Sequence, residues 1–153
     1  MLFLILYYIA YWKLFIKMNY SGWECLIPIY NEYLLCKKIN INKIFIIIYL
    51  VIKSIVIFLF IIYFLFLIFF LIAAIFIQLF VLGGFFTNII WSYFLVGIII
   101  LGILFTIYSI MRTYIIYKTS LMFGKNNMTS IIFGIFNYIG VVILGFDESS
   151  YEG

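Results

Sequence analysis

The sequence predicts an all-α integral membrane protein, a four-helix bundle with a cytoplasmic or interfacial segment between its first two helices. Hydrophobic residues make up 69% of the chain and charged residues 9%, which leaves too little polar surface to coat a soluble globule. The apolar runs at residues 55–82 and 89–111 are continuous, whereas membrane β-strands alternate polar with apolar residues. All nine basic residues fall on one side of the bilayer if the chain crosses it four times.

The first span is predicted at residues 2–16. This is short against the roughly 20 residues that a span needs, but Lys13 and Lys17 can extend their ammonium groups to the headgroups. Positive charge follows the apolar run rather than preceding it. We therefore expect a retained helix with the N-terminus outside.

A polar segment with the single proline follows this span. Pro28 disfavours helical geometry at Ile27, so residues 22–29 should not form one regular helix. The segment is predicted to be a structural elbow held at headgroup depth by aromatic side chains. The alternative is an interfacial binding segment, for which the candidate residues are Trp23, Pro28, Tyr30, Asn31 and Glu32.

Span two is predicted at residues 55–82. Dividing this apolar stretch would need a turn near Tyr63, where the sequence has no turn-forming residue. One long helix is therefore expected, with residues 44–52 as a cytoplasmic extension or a short re-entrant piece. Gln78, inside the span, should need a polar partner such as Asn137.

The second half is predicted to contain two more spans. Gly83, Gly84, Thr87 and Asn88 supply turn chemistry for an external loop. Span three follows at residues 89–111, and span four at residues 131–146 crosses outward after an internal loop. The acidic tail and both termini are therefore expected outside.

Small and weakly polar side chains form stripes on the last two spans. Such stripes let helices approach closely in lipid, and less commonly they line a polar path. The candidate packing residues are Gly102, Thr106 and Ser109 on span three, and Gly134, Asn137 and Gly145 on span four.

Two groups of residues resemble a known family. They are Gly22-Trp23 with Ile27-Pro28-Ile29-Tyr30-Asn31, and Phe123-Gly124-Lys125 near the other end. The chain resembles a family of small, uncharacterised bacterial multi-pass membrane proteins, a domain of unknown function that is sometimes labelled signal peptidase I automatically. The resemblance implies a four-helix membrane domain and no established activity.

The sequence contains no histidine and two separated cysteines, so it offers no cluster of catalytic or metal-ligating residues. A noncatalytic scaffold or accessory subunit is the predicted function, in a single membrane domain over residues 1–153 of a bacterial plasma membrane protein. The predicted partners are the lipid bilayer and another membrane protein, with no nucleic acid, metal or cofactor. A small transporter or channel-like protein is the first alternative, and an intramembrane enzyme is the weakest.

Overall fold

A computed structural model describes residues 2–79 and 84–151, with the side chains of residues 70, 71, 73–91 and 93 outside the described set. The described residues are helical, and they contain no strand. The α-helices are α1 (Leu2–Lys17), α2 (Tyr30–Lys38), α3 (Lys43–Leu79), α4 (Gly84–Met122), α5 (Asn127–Ile135) and α6 (Asn137–Phe146), and a 3₁₀ helix covers Gly22–Leu26. The all-α fold class is confirmed.

The chain forms two compact units. Residues 51–108 form the central unit, and residues 1–50 with 109–153 form the terminal unit. Within the central unit, the Tyr63 hydroxyl of α3 donates a hydrogen bond to the Phe94 carbonyl of α4. The Tyr63 ring also covers Gly97, where a Cβ would overlap it. This contact joins the two apolar helices, and the sequence had not singled out Gly97.

Two described helices are long and apolar enough to cross a membrane. The qualifying stretches are Lys43–Phe69 and Phe94–Met122, with mean hydropathies of 3.0 and 2.6. In the most apolar part of each stretch, the share of buried residues is 11% and 0%, whereas the core helix of a soluble protein is mostly buried. The exposed apolar surface supports a membrane protein.

Helix α3 confirms the single long helix expected through Tyr63, and residues 44–52 are part of it. Helix α4 begins at Gly84, so Thr87 and Asn88 are helical, and placing them in the turn was wrong. The Gln78 side chain and residue 83 lie outside the described residues.

The terminal unit is organised around the crossing of α1 and α6. The two helices run in the same direction, since Tyr7 meets Tyr138 and Lys17 meets Asp147. A Cβ on Gly145 would overlap the Ala10 carbonyl, so the glycine permits the close approach of the two backbones. The apolar core around this crossing includes Leu14, Phe15, Met18, Leu35, Ile39, Tyr49, Ile116, Phe123, Val141 and Leu144.

The predicted fourth span is a pair of short helices. The helical run breaks at Phe136, whose backbone angles are φ −94° and ψ 53°, and a Cβ on Gly140 would come within 2.6 Å of the Phe133 carbonyl oxygen. At the far end of α6, Asp147 pairs with Lys125, which precedes α5. A helix crossing the bilayer would hold these residues roughly 30 Å apart. The two ends of the segment therefore lie close together, and residues 131–146 form two short helices where one continuous span was predicted.

The segment after α1 also turns back on itself. Gly22 lies against the Trp12 indole, and the Tyr20 hydroxyl donates to the Leu34 carbonyl at 3.5 Å. Ile27 has an extended conformation with ψ 110°, as the following proline predicts. Helix α2 then begins after the segment has returned alongside α1.

Candidate functional site

A buried ion pair lies inside the terminal unit. The Nη1 atom of Arg112 on α4 donates to the Glu32 carboxylate on α2. Arg112 is 8% exposed and Glu32 is 5% exposed. Removing two such charges from water costs several kcal/mol each, and good geometry with further hydrogen bonds is needed to offset this.

Two tyrosines complete the surroundings of the arginine. Its Nη2 atom donates to the Tyr7 hydroxyl of α1 at 3.0 Å. Its guanidinium carbon lies 5.6 Å from the centroid of the Tyr138 ring of α6, within the range of a cation–π interaction. The two tyrosine rings pack edge to face, with centroids 5.4 Å apart. We call Arg112, Glu32, Tyr7 and Tyr138 the arginine centre, which joins four helices.

Glu32 reaches the arginine centre because of a strained turn just before α2. Ile29 has a φ of 69°, in the region that a β-branched residue rarely adopts. The Tyr30 N–H donates to the Pro28 carbonyl at 2.8 Å, which closes a three-residue turn around Ile29. The Asn31 amide donates to the Cys25 carbonyl at 2.7 Å and so ties the start of α2 to the end of the 3₁₀ helix.

The guanidinium of the arginine centre and the two thiols of the terminal unit are poorly suited to acting as a base or a nucleophile. A guanidinium stays protonated at all relevant pH values and cannot act as a general base. Cys36 lies nearby on α2, and burial raises the pKa of its thiol to about 12. Burial also raises the pKa of the Cys25 thiol. Both thiols are therefore protonated at neutral pH and poor nucleophiles.

A second polar cluster surrounds the end of α6. The Lys17 ammonium donates to the Leu144 carbonyl at 2.7 Å and to the Asp147 carbonyl, so it caps the helix. A hydrogen bond from Lys125 holds the pKa of the Asp147 carboxyl below its usual range. The Tyr151 hydroxyl donates to the Lys38 carbonyl at 3.0 Å. The tail therefore lies among the lysines.

The residues predicted for an interfacial segment divide into two groups. Trp23, at 53% exposed, lies at the surface with Pro28 and Tyr30, in positions suited to anchoring. Asn31 is half-buried and Glu32 is buried, where they connect the segment internally.

The residues of the two predicted packing stripes lie in different surroundings. On α4, a Cβ at Gly102 would meet nothing within 4 Å. The exposed Thr106 hydroxyl donates to the Gly102 carbonyl of the same helix at 2.8 Å, so its hydrogen bond stays within α4. Ser109 is half-buried.

The stripe on α5 and α6 lies mainly at helix contacts. Gly134 lies against α4, where a Cβ would come within 2.9 Å of the Thr113 carbonyl. Gly145 packs on α1, so both glycines lie where two helices approach closely. The Asn137 Oδ1 atom is buried and has no hydrogen-bond partner within the described part of the chain.

Sequence reasoning missed the arginine and both tyrosines of the arginine centre. One signal was available: Arg112 is the single arginine beside eight lysines. Arginine is preferred over lysine for buried ion pairs because its planar group forms several directed hydrogen bonds. A lone arginine within an apolar helix therefore pointed to a buried partner.

Within residues 2–79 and 84–151, no three metal-ligating side chains gather into a possible metal site. Comparison of the chain with protein-family models, curated proteins and solved structures gave no match. The case for a function therefore rests on the geometry of these residues.

Proposed function

We propose that the protein is a noncatalytic scaffold or accessory subunit of a bacterial plasma membrane, which acts by packing against another membrane protein. The observation that carries this proposal is the exposure of the apolar faces of α3 and α4 together with the enclosure of the arginine centre. Exposed apolar helix faces need lipid or a partner helix. An enclosed ion pair that joins four helices fixes the positions of those helices relative to one another.

In the proposed membrane arrangement, α3 and α4 cross the bilayer. Helix α1 is about 24 Å long from its 16 residues, and it inserts with its N-terminus outside. Helices α5 and α6 enter and return on the cytoplasmic side. The basic residues and the acidic tail then share that side, in accord with the positive-inside bias.

The resemblance to the multi-pass bacterial family is consistent with this arrangement and stays a prediction. The signal peptidase label has little support, because such an enzyme needs a positioned Ser–Lys pair. Lys53 and Ser54 are adjacent on one helix, so their side chains point about 100° apart.

Transport is the second candidate function, because two interrupted helical segments converge on the arginine centre. Glu32 follows the turn at Ile29, and Tyr138 follows the break at Phe136. Charges and broken helices of this kind mark the binding sites of many transporters. A transporter would have to open the Arg112–Glu32 pair to its substrate.

Photo-crosslinking in native membranes tests the scaffold proposal. A crosslinking amino acid is placed at Ile61 or Leu65 on α3, and at Ile99 or Ile103 on α4, all of which are exposed. A stoichiometric partner captured from one helix face supports a scaffold. A protein that crosslinks only to lipid and copurifies with a small solute contradicts it and favours transport.

A further inference from the structure

A cleft lies between the end of α2 and the start of α3. Its volume is about 710 Å³, within the range of ordinary small-molecule sites. Two lysines and no acidic residue line it. The complete lining is Tyr33, Lys37, Asn40, Ile41, Lys43, Ile46, Ile47 and Leu50.

The turn between the two helices places both lysines at the mouth of the cleft. Asn40 has a φ of 51°, which reverses the chain. The Asn42 side chain accepts a hydrogen bond from the Ile44 N–H at 3.0 Å and so caps the start of α3. Lys37 and Lys43 are both exposed, and neither takes part in the ion pairs of the described residues. Their charges are therefore available to an anion.

The floor and wall of the cleft are apolar. Ile46, Ile47 and Leu50 follow one another along the first turns of α3, and the Ile47 side chain is 62% exposed. An apolar wall adds no binding energy for a small soluble anion. An amphiphile with a negative headgroup can place its charge between the lysines and its acyl chains along the isoleucines.

We propose that this cleft binds an anionic phospholipid, with the headgroup phosphate between Lys37 and Lys43. The proposal rests on the membrane insertion in the proposed function, but it does not require a protein partner. Basic pockets beside membrane helices on the cytoplasmic face are suited to anionic headgroups. The mouth of this cleft has that charge, and its wall has the matching apolar surface.

The test is a lipid titration of the purified protein in a neutral detergent, with bound lipid counted by native mass spectrometry. The probes are phosphatidylglycerol, phosphatidylcholine with the same chains, and inorganic phosphate. Each lysine near an anionic surface contributes a factor of roughly five in affinity. Lys37→Gln with Lys43→Gln should therefore weaken phosphatidylglycerol binding about 25-fold and abolish its preference over phosphatidylcholine.

A charge-matched control separates this cleft from general attraction. Lys53→Gln with Lys118→Gln removes the same two charges outside the lining and should keep the preference. A second variant, Ile47→Asn, keeps both lysines and should weaken the binding of phosphatidylglycerol and of phosphatidylcholine to the same degree. Because Lys37, Lys43 and Ile47 are exposed, we expect both cleft variants to fold.

Three results would overturn the proposal. The first is equal binding of the two lipids by the unmodified protein. The second is the same loss of preference in the control as in the cleft variant. The third is competition by inorganic phosphate at an affinity equal to that of the lipid, which would show a soluble-anion site. Failure of the scaffold proposal would appear separately, as the lack of a crosslinked partner in native membranes.

Discussion

Removing the negative charge of the arginine centre should destabilise the terminal unit strongly. Glu32→Gln keeps the size of the side chain but removes the carboxylate charge that pairs with the buried Arg112 guanidinium. Breaking a buried pair from one side costs about 3–5 kcal/mol. We expect a loss near the lower end, about 3 kcal/mol, because the Tyr7 hydroxyl and the Tyr138 ring still face the guanidinium.

The contribution of the Arg112–Glu32 ion pair to stability can be separated by replacing both residues. Arg112→Met combined with Glu32→Leu removes both charges and keeps apolar volume, and such replacements are often neutral. The double variant should therefore lie within about 1 kcal/mol of the original protein, although each single change costs several times more.

Unfolding in mixed micelles with increasing dodecyl sulfate, followed by circular dichroism, measures these differences. Glu24→Gln is the matched control, since Glu24 lies in the same segment but is less buried and bonds the Ser21 N–H at 2.9 Å. It should cost well under half as much as Glu32→Gln. The reasoning would be refuted if the two changes cost the same, or if the double variant were as unstable as the sum of the singles.

Three further outcomes follow from the helix contacts and the tail. Gly145→Leu should destabilise the protein by about 3 kcal/mol through backbone overlap with Ala10, whereas Gly102→Leu should change detergent melting little; equal losses would contradict the α1–α6 crossing. Cysteines at positions 126 and 150 should both react with an impermeant maleimide only after the cells are opened, because the pairing of Asp147 with Lys125 keeps the two positions on one side of the membrane. Labelling of Ser150→Cys in intact cells would instead support an outward crossing at residues 131–146. The pKa of Asp147 is lowered from 3.8, so its pairing with Lys125 stabilises the fold at neutral pH and loses this effect as the pH falls through the lowered pKa. The stability of the protein is compared with that of its Asp147→Asn variant from pH 7 to pH 2. A difference that stays constant over this range would argue against the pair.

Hydrophobicity and the lack of turn-forming residues were enough to predict that α3 is one long helix. Residues 44–79 lack any residue that ends a helix, and α3 continues through Tyr63. Pro28 correctly predicted the extended conformation at Ile27. These are local effects, because proline geometry and apolar periodicity act within a few residues.

The break at Phe136 could not be predicted from local sequence. Residues 131–146 are apolar and contain no proline, so they read as one span. The return of α6 depends on the contact of Gly140 with Phe133 and on the pairing of Asp147 with Lys125. Asp147 and Lys125 are 22 residues apart in the chain, so local sequence does not indicate that they pair.

The sequence also predicted the candidate site only in part. The sequence marked Glu32 as a polar residue of an unusual segment and marked Gly145 as a packing position. It assigned no partner to Glu32, because Arg112 is 80 residues away in the chain. It also placed Gly102 in a packing stripe that the structure leaves exposed.

The sequence by itself determined that this chain is helical and strongly apolar, and that residues 44–79 form one uninterrupted helix, because those properties come from composition and from short-range backbone preferences. Only the tertiary structure decided which helices cross one another, that the tail returns to the lysines, and that one arginine is buried against one glutamate. The physical reason is that a buried charge needs a partner, but sequence does not say which distant segment will supply it. In this protein Glu32 supplies it, on a helix that starts just after the strained turn at Ile29.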